Sequence, residues 1–463
     1  MEIITSQKGI DCCLHEGYRY RRDRKNADGS ESWRCCNDDT TCKGRIKCTA
    51  DGNINMTTVH NHAPDESKNE VKAKAKASIR QRAENTVEKP RHIILQCSNG
   101  MSTEAATMMP AYRASQRTIQ RKRKRNEEPI VIPTSLRAIA LTENLTVTSR
   151  NEAFLLFDSG ADDDRRILMF GTMKNLQSLE EHSNWFIDGT FKVSPDLFVQ
   201  VFTIHALIDN SAVPLVYALL PSKEQADYVR VFGKLFELRN TLAPQSILCD
   251  FEKASQNAAA QIFSGCRIVG CLFHLGQSLW RKIQECGLVT SYRDGENIRM
   301  YTKMLLALAF IPIIDVPDAF DELNENRPDE LDAVYDYWED TYVGRKRRNR
   351  RAPPRFCVEC WNVRDRVENG LPRTNNSVEG WHHAFQHTVD CNHPNVYKLV
   401  EHFKQEQDHV EQQIERYNAG VRQAEASKTK YVQLNRRLCA LIPTYGQKPL
   451  LDFLRAVSYN LTL

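Results

Sequence analysis

The stretch NWFIDGTFK, residues 184–192, has the composition of a buried strand that ends at one carboxylate. Three apolar side chains precede Asp188, and Gly189 allows the chain to turn directly after it. Two further apolar runs, 197–208 and 213–220, follow at distances that suit hairpin connections. We therefore predict three consecutive strands, with the carboxylate of Asp188 at the edge of their sheet.

Downstream, two short apolar runs alternate with helical patterns. The run 246–251 contains Asp250 near its end, a helical pattern covers 254–263, and 267–274 is predicted as another strand. Three hairpin strands followed by helix, strand, helix and strand indicate a mixed sheet flanked by helices. If the first and fourth strands are neighbours, the carboxylates of Asp188 and Asp250 lie side by side.

Two adjacent carboxylates repel each other unless a cation lies between them. With a third acid they can hold two Mg²⁺ or Mn²⁺ ions about 3.5–4 Å apart, the arrangement that promotes in-line attack on a phosphodiester. The segment RTNNSVEGWHH, residues 373–383, supplies Glu379 on a predicted helix. Asn375, Asn376 or Arg373 could contact phosphates or support the metal ligands. A lone helical glutamate usually faces water, so the assignment of Glu379 depends on its order after the two aspartates.

The segment between the second and third acids contains a long helical pattern. Residues 294–345 carry two apolar stripes at helical spacing, so we interpret residues 294–365 as an all-helical insertion in the α/β region. The basic run 345–351 could form a DNA-facing loop or a solvated charged surface. Another amphipathic helix begins near Val396, and we predict a helical C-terminal region over 391–463.

A cluster of cysteines and histidines lies near the N-terminus, in a segment of short β-rich pieces and turns. His60 and His62 lie two residues apart on an extended segment, so both imidazoles can point to the same side. With Cys35 and Cys42 they would complete the tetrahedral shell that zinc prefers. Cys36 competes with Cys35 as a ligand. Buried cysteines beside surface histidines are the alternative interpretation.

The chain becomes rich in lysine, arginine and alanine after residue 63. Helical patterns cover 70–86, 90–97, 102–108 and 115–125. Seven basic residues and no acidic one lie between positions 113 and 125: Arg113, Arg117, Arg121, Lys122, Arg123, Lys124 and Arg125. The three arginines spaced four residues apart share one helix face, while Ile119 can turn inward. This pattern fits a helix-turn-helix unit whose last helix lies against DNA. A nuclear-import signal in a solvated basic run explains it equally well.

The overall composition is that of a folded, multidomain protein. The chain has 463 residues, 41% of them hydrophobic, with a net charge of +4 and no run of about 18 apolar residues. Its fifteen cysteines are scattered, which suits a reducing compartment better than a disulfide framework. The start MEIITSQKGIDCC lacks the layout of a signal peptide. We therefore expect a soluble protein that is not secreted and whose locally basic segments bind a polyanion.

Two ordered sets of residues resemble known families. The N-terminal cluster, with Tyr18, Tyr20, a Trp-Arg-Cys element at 33–35 and a His-Asn-His ending at 60–62, resembles FLYWCH-type zinc fingers. The second set resembles, from about residue 184 to 387, the catalytic domain of Mutator-like element (MULE) transposases. It consists of DGTF (188–191), CDFEKA (249–254), CLFH (271–274) and NNSVE (375–379).

The MULE resemblance implies a ribonuclease-H-like fold interrupted by the helical insertion, and it assigns a DDE triad to Asp188, Asp250 and Glu379. The FLYWCH resemblance implies a zinc-dependent module that binds DNA or a protein. The MULE family also marks Cys271 and His274 as a site feature. The alternative, which we favour slightly, is a strand-end cysteine and a histidine packed under the sheet.

These features predict a nuclear DNA transposase that cuts and joins DNA at transposon ends. Its partners would be the double-stranded DNA of the terminal repeats and of the target, and a homo-oligomer would bring two ends together, with no membrane involved. A domesticated, non-catalytic DNA-binding or transcription-regulating protein and a structure-specific nuclease are the alternatives. The predicted divisions are a zinc finger (1–66), a basic helical region (67–128), a connector (129–183), the first part of the core (184–293), the insertion (294–365), the catalytic helix (366–390) and the C-terminal region (391–463).

Overall fold

The structure of the chain is a computed structural model with two compact units, residues 1–131 and 132–463. The residues that it describes are 2–5, 11–36, 41–49, 51–62, 64, 68–86, 88, 90–99, 111–126, 132–348, 350–421 and 429–463.

The first unit begins with a six-stranded sheet in which consecutive strands pair antiparallel in chain order. Its strands are β1 (Glu2–Thr5), β2 (Asp11–His15), β3 (Tyr18–Lys25), β4 (Glu31–Cys35), β5 (Arg45–Cys48) and β6 (Ile54–Thr58). Along β4 the side chains alternate, so Trp33 and Cys35 are buried while Arg34 is exposed. Trp33 packs with Tyr20 and Ile46 in a core of few residues. A sheet this small buries little apolar surface, which is why a metal ion would contribute much of its stability.

The described part of the first unit also contains three helices, Lys68–Asn85, Pro90–Ser98 and Tyr112–Asn126. They pack around a small apolar core that includes Ile79, Ile93 and Ile119. Ile119 turns inward as predicted, because it lies on the helix face opposite the exposed arginines. The helix predicted over 102–108 lies outside the described residues.

The second unit contains a seven-stranded sheet of order β13-β12-β9-β10-β11-β8-β7. Its strands are β7 (Leu155–Asp158), β8 (Leu168–Phe170), β9 (Asn184–Thr190), β10 (Gln200–Ile208), β11 (Ser211–Leu220), β12 (Ser246–Cys249) and β13 (Arg267–Gly270). The three predicted hairpin strands, β9 to β11, are antiparallel, whereas β12 is parallel to both β9 and β13. The predicted mixed sheet is therefore confirmed, and its first and fourth predicted strands are neighbours.

Helices cover both faces of this sheet. Trp185 and Ile187 of β9 face one layer, which includes Tyr228 and Phe232 of the helix Gln225–Leu238. The alternate β9 residue Phe186 packs with Val378 on the opposite face. Because side chains alternate along a strand, Asp188 shares the face of Phe186, towards the helix that carries Glu379.

The helices of the second unit follow in chain order. They are Glu143–Thr146, Met173–Glu181, Gln225–Leu238, Lys253–Ile262, Leu272–Glu285, Val289–Asp294, Glu296–Ala307, Val316–Glu325, Asp332–Trp338, Val358–Trp361, Arg364–Glu368, Asn376–Val389, Val396–Asn418, Thr429–Leu441 and Leu450–Ser458. Short 3₁₀ segments lie at Leu308–Phe310, Ile313–Asp315, Asp329–Leu331 and Ile442–Thr444, and a π-helical turn at Glu339–Val343.

Three predictions about this unit need correction. The segment 129–183 is more than a connector, because β8 pairs with β11, β7 pairs with β8, and the two strands extend the sheet. The insertion is not all-helical, since Lys346–Arg347 (β14) and Arg350–Arg351 (β15) form a short antiparallel hairpin. The predicted strand over 267–274 ends at Gly270, and a helix begins at Leu272.

The insertion shares a hydrophobic core with the helix Leu272–Glu285. Trp338 and Trp361 are fully buried in it with side chains from the helices between residues 296 and 338. The last two helices, Thr429–Leu441 and Leu450–Ser458, also pack on this core. Among the described residues, no helix is long and apolar enough to cross a membrane.

Candidate metal sites

The four predicted zinc ligands lie together in the first unit. One ligand atom from each of Cys35, Cys42, His60 and His62 can be chosen so that all four lie within 4.8 Å of one another. Cys35 Sγ is 3.3 Å from His62 Nε2, and Cys42 Sγ is 3.4 Å from His60 Nδ1. Tetrahedral zinc with sulfur and nitrogen ligands has ligand separations of roughly 3.3–3.8 Å, as bond lengths of about 2.0–2.3 Å require. The donor set therefore fits Zn²⁺.

The competing thiol, Cys36, is directed elsewhere. Its Sγ donates to the backbone carbonyl of Arg19 at 3.3 Å, and it is not part of the cluster. Strand alternation explains the difference, because Cys35 ends β4 on the same side as Trp33 and the next residue points away. The geometry thus favours Cys35 over Cys36.

Neighbouring side chains hold the His60 ring. The Tyr20 hydroxyl lies 2.6 Å from His60 Nε2, so the nitrogen that remains for a metal is Nδ1. The Tyr18 ring stacks on the imidazole with ring centroids 3.6 Å apart. On the remaining side, a β-carbon added at Gly44 would lie 2.5 Å from the imidazole ring. A glycine at this position is therefore needed for the ring to fit.

In the second unit, Asp188 and Asp250 line one open cleft. The parallel register of β9 and β12 pairs Phe186 with Leu248, and continuing it by two residues brings Asp188 level with Asp250. Asp188 Oδ1 accepts a hydrogen bond of 2.8 Å from the Gly189 backbone N–H. The two aspartates thus lie at the same end of neighbouring strands, as predicted.

Gly189 differs from its predicted role. It lies within β9 and does not form a turn, and an added β-carbon would collide with the side chain of Gln200 on β10. Gln200 cannot easily move away, because it is 1% exposed and its amide donates to the Tyr228 hydroxyl at 2.7 Å. The glycine is therefore needed for the close approach of a buried side chain beside Asp188.

A fourth acid, Glu252, lines the same cleft but has other partners. It accepts a hydrogen bond of 2.6 Å from the Tyr228 hydroxyl, and its second oxygen lies 3.3 Å from Lys223 Nζ. Both contacts compensate its charge within the wall of the cleft. They make Glu252 a weaker candidate than Glu379 for the third member of a triad.

Glu379 lies in the first turn of the helix Asn376–Val389 and is linked to Asp250 by one side chain. His274 Nδ1 lies 2.6 Å from Asp250 Oδ1, and His274 Nε2 lies 3.3 Å from Glu379 Oε1. The helix Leu272–Glu285 begins just before His274, so the imidazole projects from its first turn between the two acids. His274 is therefore not packed under the sheet, contrary to the interpretation favoured from the sequence.

The electrostatics of this group reflect its crowding. Burial raises the pKa of Glu379, and the charges of Asp188 and Asp250 raise it further, while His274 and His382 oppose them. Burial would lower the pKa of His274, but the hydrogen bond with Asp250 and the nearby Cys271 outweigh burial and raise the pKa to about 10. A protonated imidazole thus lies between two carboxylates, where its charge reduces their mutual repulsion.

Asn375 and Cys271 support Asp250 from behind. The Asn375 side-chain N–H donates to Asp250 Oδ1 at 3.1 Å, and its carbonyl oxygen accepts from Cys271 Sγ at 3.0 Å. Both residues are fully buried, so this contact joins the end of β13 to the start of the helix that carries Glu379. Asn376, by contrast, is exposed.

One residue of this region was missed by the sequence reasoning. His382 Nδ1 lies 3.3 Å from Asp188 Oδ2, and only 11% of its side chain is exposed. It follows Glu379 by three residues, so both side chains project from one face of the same helix. That spacing was the available signal, but the stretch contains two adjacent histidines and no pattern in it distinguishes His382 from His383.

The three acids are spread more widely than the zinc ligands. Within the described part of the chain, no second set of three potential ligands lies entirely within 4.8 Å. Three carboxylates from β9, the end of β12 and a helix nevertheless supply the oxygen donors that Mg²⁺ and Mn²⁺ prefer. The imidazole of His274, whose pKa is raised beside Asp250, lies between two of them. The donor set therefore fits hard divalent cations.

The predicted DNA-binding residues differ in their surroundings. Arg113, Arg117 and Arg121 are exposed along one helix face, whereas Lys122 forms an ion pair with Glu84. The side chains of residues 123–125 lie outside the described part. In the basic run of the insertion, three residues pair with acids of the insertion: Arg345 with Asp340, Lys346 with Asp321, and Arg351 with Asp321 and Glu339.

Comparison with protein families gives one match in each unit. Residues 3–62 match the FLYWCH zinc finger domain, and residues 184–278 match the MULE transposase domain. The second match includes both aspartates of the cleft and His274, but it ends before Glu379. No curated protein matches the chain. The chain therefore combines an N-terminal FLYWCH zinc finger domain with a MULE transposase domain, as the resemblance of its motifs predicted.

Proposed function

We propose that the second unit is the catalytic core of a DNA transposase of the MULE type, with Asp188, Asp250 and Glu379 as its DDE triad. The observation that carries this proposal is the contact of His274 with both Asp250 and Glu379, which leaves one imidazole between an acid of a distant helix and a strand-end aspartate. A helical glutamate with only a surface role would have no reason to lie there.

The sheet supports a ribonuclease-H-like fold for this core. Its strands β11-β10-β9-β12-β13 consist of three antiparallel strands followed by two that run parallel to β9. Asp188 lies on the central strand β9, and Asp250 directly follows its parallel neighbour β12. This is the arrangement that the MULE resemblance implies.

Asp188, Asp250 and Glu379 would hold two Mg²⁺ or Mn²⁺ ions. When bound, such ions polarise a phosphodiester and lower the pKa of an attacking water or hydroxyl. Asn375 keeps Asp250 oriented through its buried amide. Lys223, whose side chain is 45% exposed at the cleft, can contact a phosphate of the bound strand.

The first unit would supply DNA recognition in this proposal. The FLYWCH domain, with Zn²⁺ on Cys35, Cys42, His60 and His62, would present its sheet to DNA. The exposed arginine face of the helix Tyr112–Asn126 would contact phosphates. Binding of two transposon ends requires a homo-oligomer on DNA, and the substrate places the protein in the nucleus.

The test begins with DNA selected from a random pool by the full-length protein. The selected duplexes are then incubated with the protein and Mg²⁺ or Mn²⁺ in two forms. Intact duplexes test cleavage. Duplexes that already end in a free 3′-hydroxyl, mixed with a plasmid as the target, test joining. We expect cleavage and joining by the wild type, and a loss of at least about 10³-fold in Asp188→Asn and Glu379→Gln, which remove charge from the site with little change in shape.

Each outcome selects one function. Cleavage without joining would indicate a structure-specific nuclease. Tight DNA binding with no difference between the wild type and the two variants would indicate a non-catalytic, transcription-regulating descendant. Retained DNA binding in the variants shows that the loss of cleavage comes from chemistry and not from misfolding.

A further inference from the structure

We propose that His382 is a positioning residue for Asp188, held by a polar chain that begins in the buried interior of the sheet. The inference rests on the proposed function, because Asp188 is one of the carboxylates that would hold a metal ion. The contact of His382 Nδ1 with Asp188 Oδ2, at 3.3 Å, is the outer end of this chain.

The next member is Thr203 on β10. It is the direct partner of Asp188 in the antiparallel pair of β9 and β10, so the two side chains lie on the same face of the sheet. The Thr203 hydroxyl lies 3.2 Å from His382 Nε2 and 3.3 Å from the backbone oxygen of Asp188. Thr203 is fully buried, so its hydroxyl needs these partners.

The inner end is His205, two residues further along the same strand face. Its Nε2 lies 2.9 Å from the Thr203 hydroxyl, its side chain is fully buried, and its ring packs edge-on against Trp381 of the helix that carries Glu379. Burial, and to a lesser degree the neighbouring His382, lowers the pKa of His205 well below its usual value. His205 is therefore neutral and carries one ring N–H.

The neutral His205 ring can donate a hydrogen bond outwards, from the interior of the sheet towards Thr203. His205 Nε2–H can donate to the Thr203 oxygen, and the single Thr203 proton then goes either to the Asp188 backbone oxygen or to His382 Nε2. In the second case the N–H of His382 is on Nδ1, which faces Asp188 Oδ2 at 3.3 Å, while His205 Nδ1 is buried without a hydrogen-bond partner among the described residues. Both ring nitrogens of His382 are then engaged, so neither is left to bind an ion, and His382 acts through Asp188.

The consequence is a carboxylate with both oxygens oriented. The Gly189 backbone N–H holds Oδ1 and His382 holds Oδ2, which fixes the plane of the Asp188 carboxylate before an ion arrives. Partners of this kind behind metal ligands typically contribute about 10–100-fold in metal affinity. The same helix supplies Glu379, so one element sets the position of two of the three acids.

Mn²⁺ binding to the full-length protein, followed by the electron paramagnetic resonance signal of the free ion, tests this inference without an activity assay. The variants are His382→Leu, which removes both nitrogens, His382→Asn, whose amide N–H can replace Nδ1, and Thr203→Val, which removes the supporting hydroxyl. Asp188→Asn identifies the site. His383→Leu is the matched control, because the adjacent His383 is exposed and packs against His387.

We expect His382→Leu to weaken Mn²⁺ binding about 10-fold or more. His382→Asn should recover part of this loss, and Thr203→Val should weaken binding by less than His382→Leu. His383→Leu should bind Mn²⁺ as the wild type does. Wild-type affinity in His382→Leu, with weak binding in Asp188→Asn, overturns the positioning role alone. Wild-type binding in Asp188→Asn overturns the proposed metal site and this inference with it. Thermal unfolding in excess chelator shows whether each variant is folded. If His382→Leu proves unstable, the Mn²⁺ affinity of Thr203→Val, whose side chain has nearly the same shape as threonine, decides the question instead.

Discussion

His274 Nε2 lies 3.3 Å from Glu379 Oε1, and the same ring contacts Asp250 through its other nitrogen. The imidazole is thus the only side chain of the described residues that contacts two of the three acids as an ion-pair partner. It therefore lies where positive charge compensates the two carboxylates. This arrangement and the zinc cluster of the first unit lead to the following predictions.

Replacement of His274 by alanine should make stability depend more strongly on divalent cations. In the presence of a chelator, His274→Ala leaves Asp250 and Glu379 without a positive charge between them. We expect the free energy of unfolding to fall by about 1 kcal/mol, a modest amount because both acids are partly exposed. Mg²⁺ should then raise the melting temperature more in His274→Ala than in the wild type. His409→Ala, at an exposed position of another helix, is the control; equal melting temperatures of all three proteins in chelator would contradict the prediction.

The two adjacent cysteines at the end of β4 should differ in zinc content. Cys35→Ser removes a ligand and should lower bound zinc, measured by atomic spectrometry of the full-length protein, from one equivalent to a small fraction. Cys36→Ser removes only a thiol that contacts the Arg19 carbonyl and should keep the full equivalent. The opposite pattern would show that Cys36 is the ligand.

Tyr20→Phe should weaken zinc binding without removing a ligand. The lost hydroxyl no longer holds His60 Nε2, and loss of such a partner typically costs about 10–100-fold in metal affinity. Competition with a chromophoric chelator measures the change. Tyr18→Phe keeps the stacked ring and loses only a hydroxyl that donates to the His62 backbone oxygen, so a smaller effect is expected. Equal affinities of Tyr20→Phe and the wild type would refute the role of the hydroxyl.

Replacement of Arg113, Arg117 and Arg121 by glutamine should reduce the salt dependence of DNA binding. If each arginine contacts one phosphate, the slope of log affinity against log salt falls by about 0.9 for each, or about 3 in the triple variant. Lys122→Gln is the control, because this lysine is paired with Glu84 and should change the slope little. An unchanged slope in the triple variant would leave the basic run as an import signal.

Gly189→Ala should destabilise the second unit and displace Asp188. The new β-carbon meets the buried Gln200 side chain, and an insertion of this kind into a packed interior costs about 1–3 kcal/mol. Gly233→Ala is the matched control: its β-carbon would lie 4.0 Å from Ile262, an ordinary contact within a helix, and should stabilise by about 0.5–1 kcal/mol. Chemical denaturation of both variants gives the comparison, and similar stabilities would contradict it.

Periodicity in the sequence was sufficient for the long elements of the core. The strands β9, β10 and β11 and the helix Gln225–Leu238 were predicted because their apolar patterns extend over seven or more residues. Strands β7 and β8 were missed, and their identity as strands depends on pairing with β11 and with each other. The hairpin of β14 and β15 was missed for the same reason.

The site residues also divide into those that a local motif identifies and those whose role depends on packing. Asp188, Asp250 and Glu379 could be selected from the sequence, since each stands in a local motif whose order resembles one family. The role of His274 could not, because an imidazole in CLFH reads equally well as packed or as functional until the start of the helix at Leu272 fixes its direction. His382 likewise has no distinguishing neighbour in sequence.

The sequence by itself determined the kinds of atoms available: thiols and imidazoles in the first unit, and carboxylates at strand ends and on one helix in the second. Only the tertiary structure decided which of these atoms meet. The choice of Cys35 over Cys36 follows from strand alternation, and the contacts of His274 and His382 follow from the packing of two helices on one sheet face. Such contacts join residues far apart in the chain, so they depend on how the elements pack and not on any local pattern.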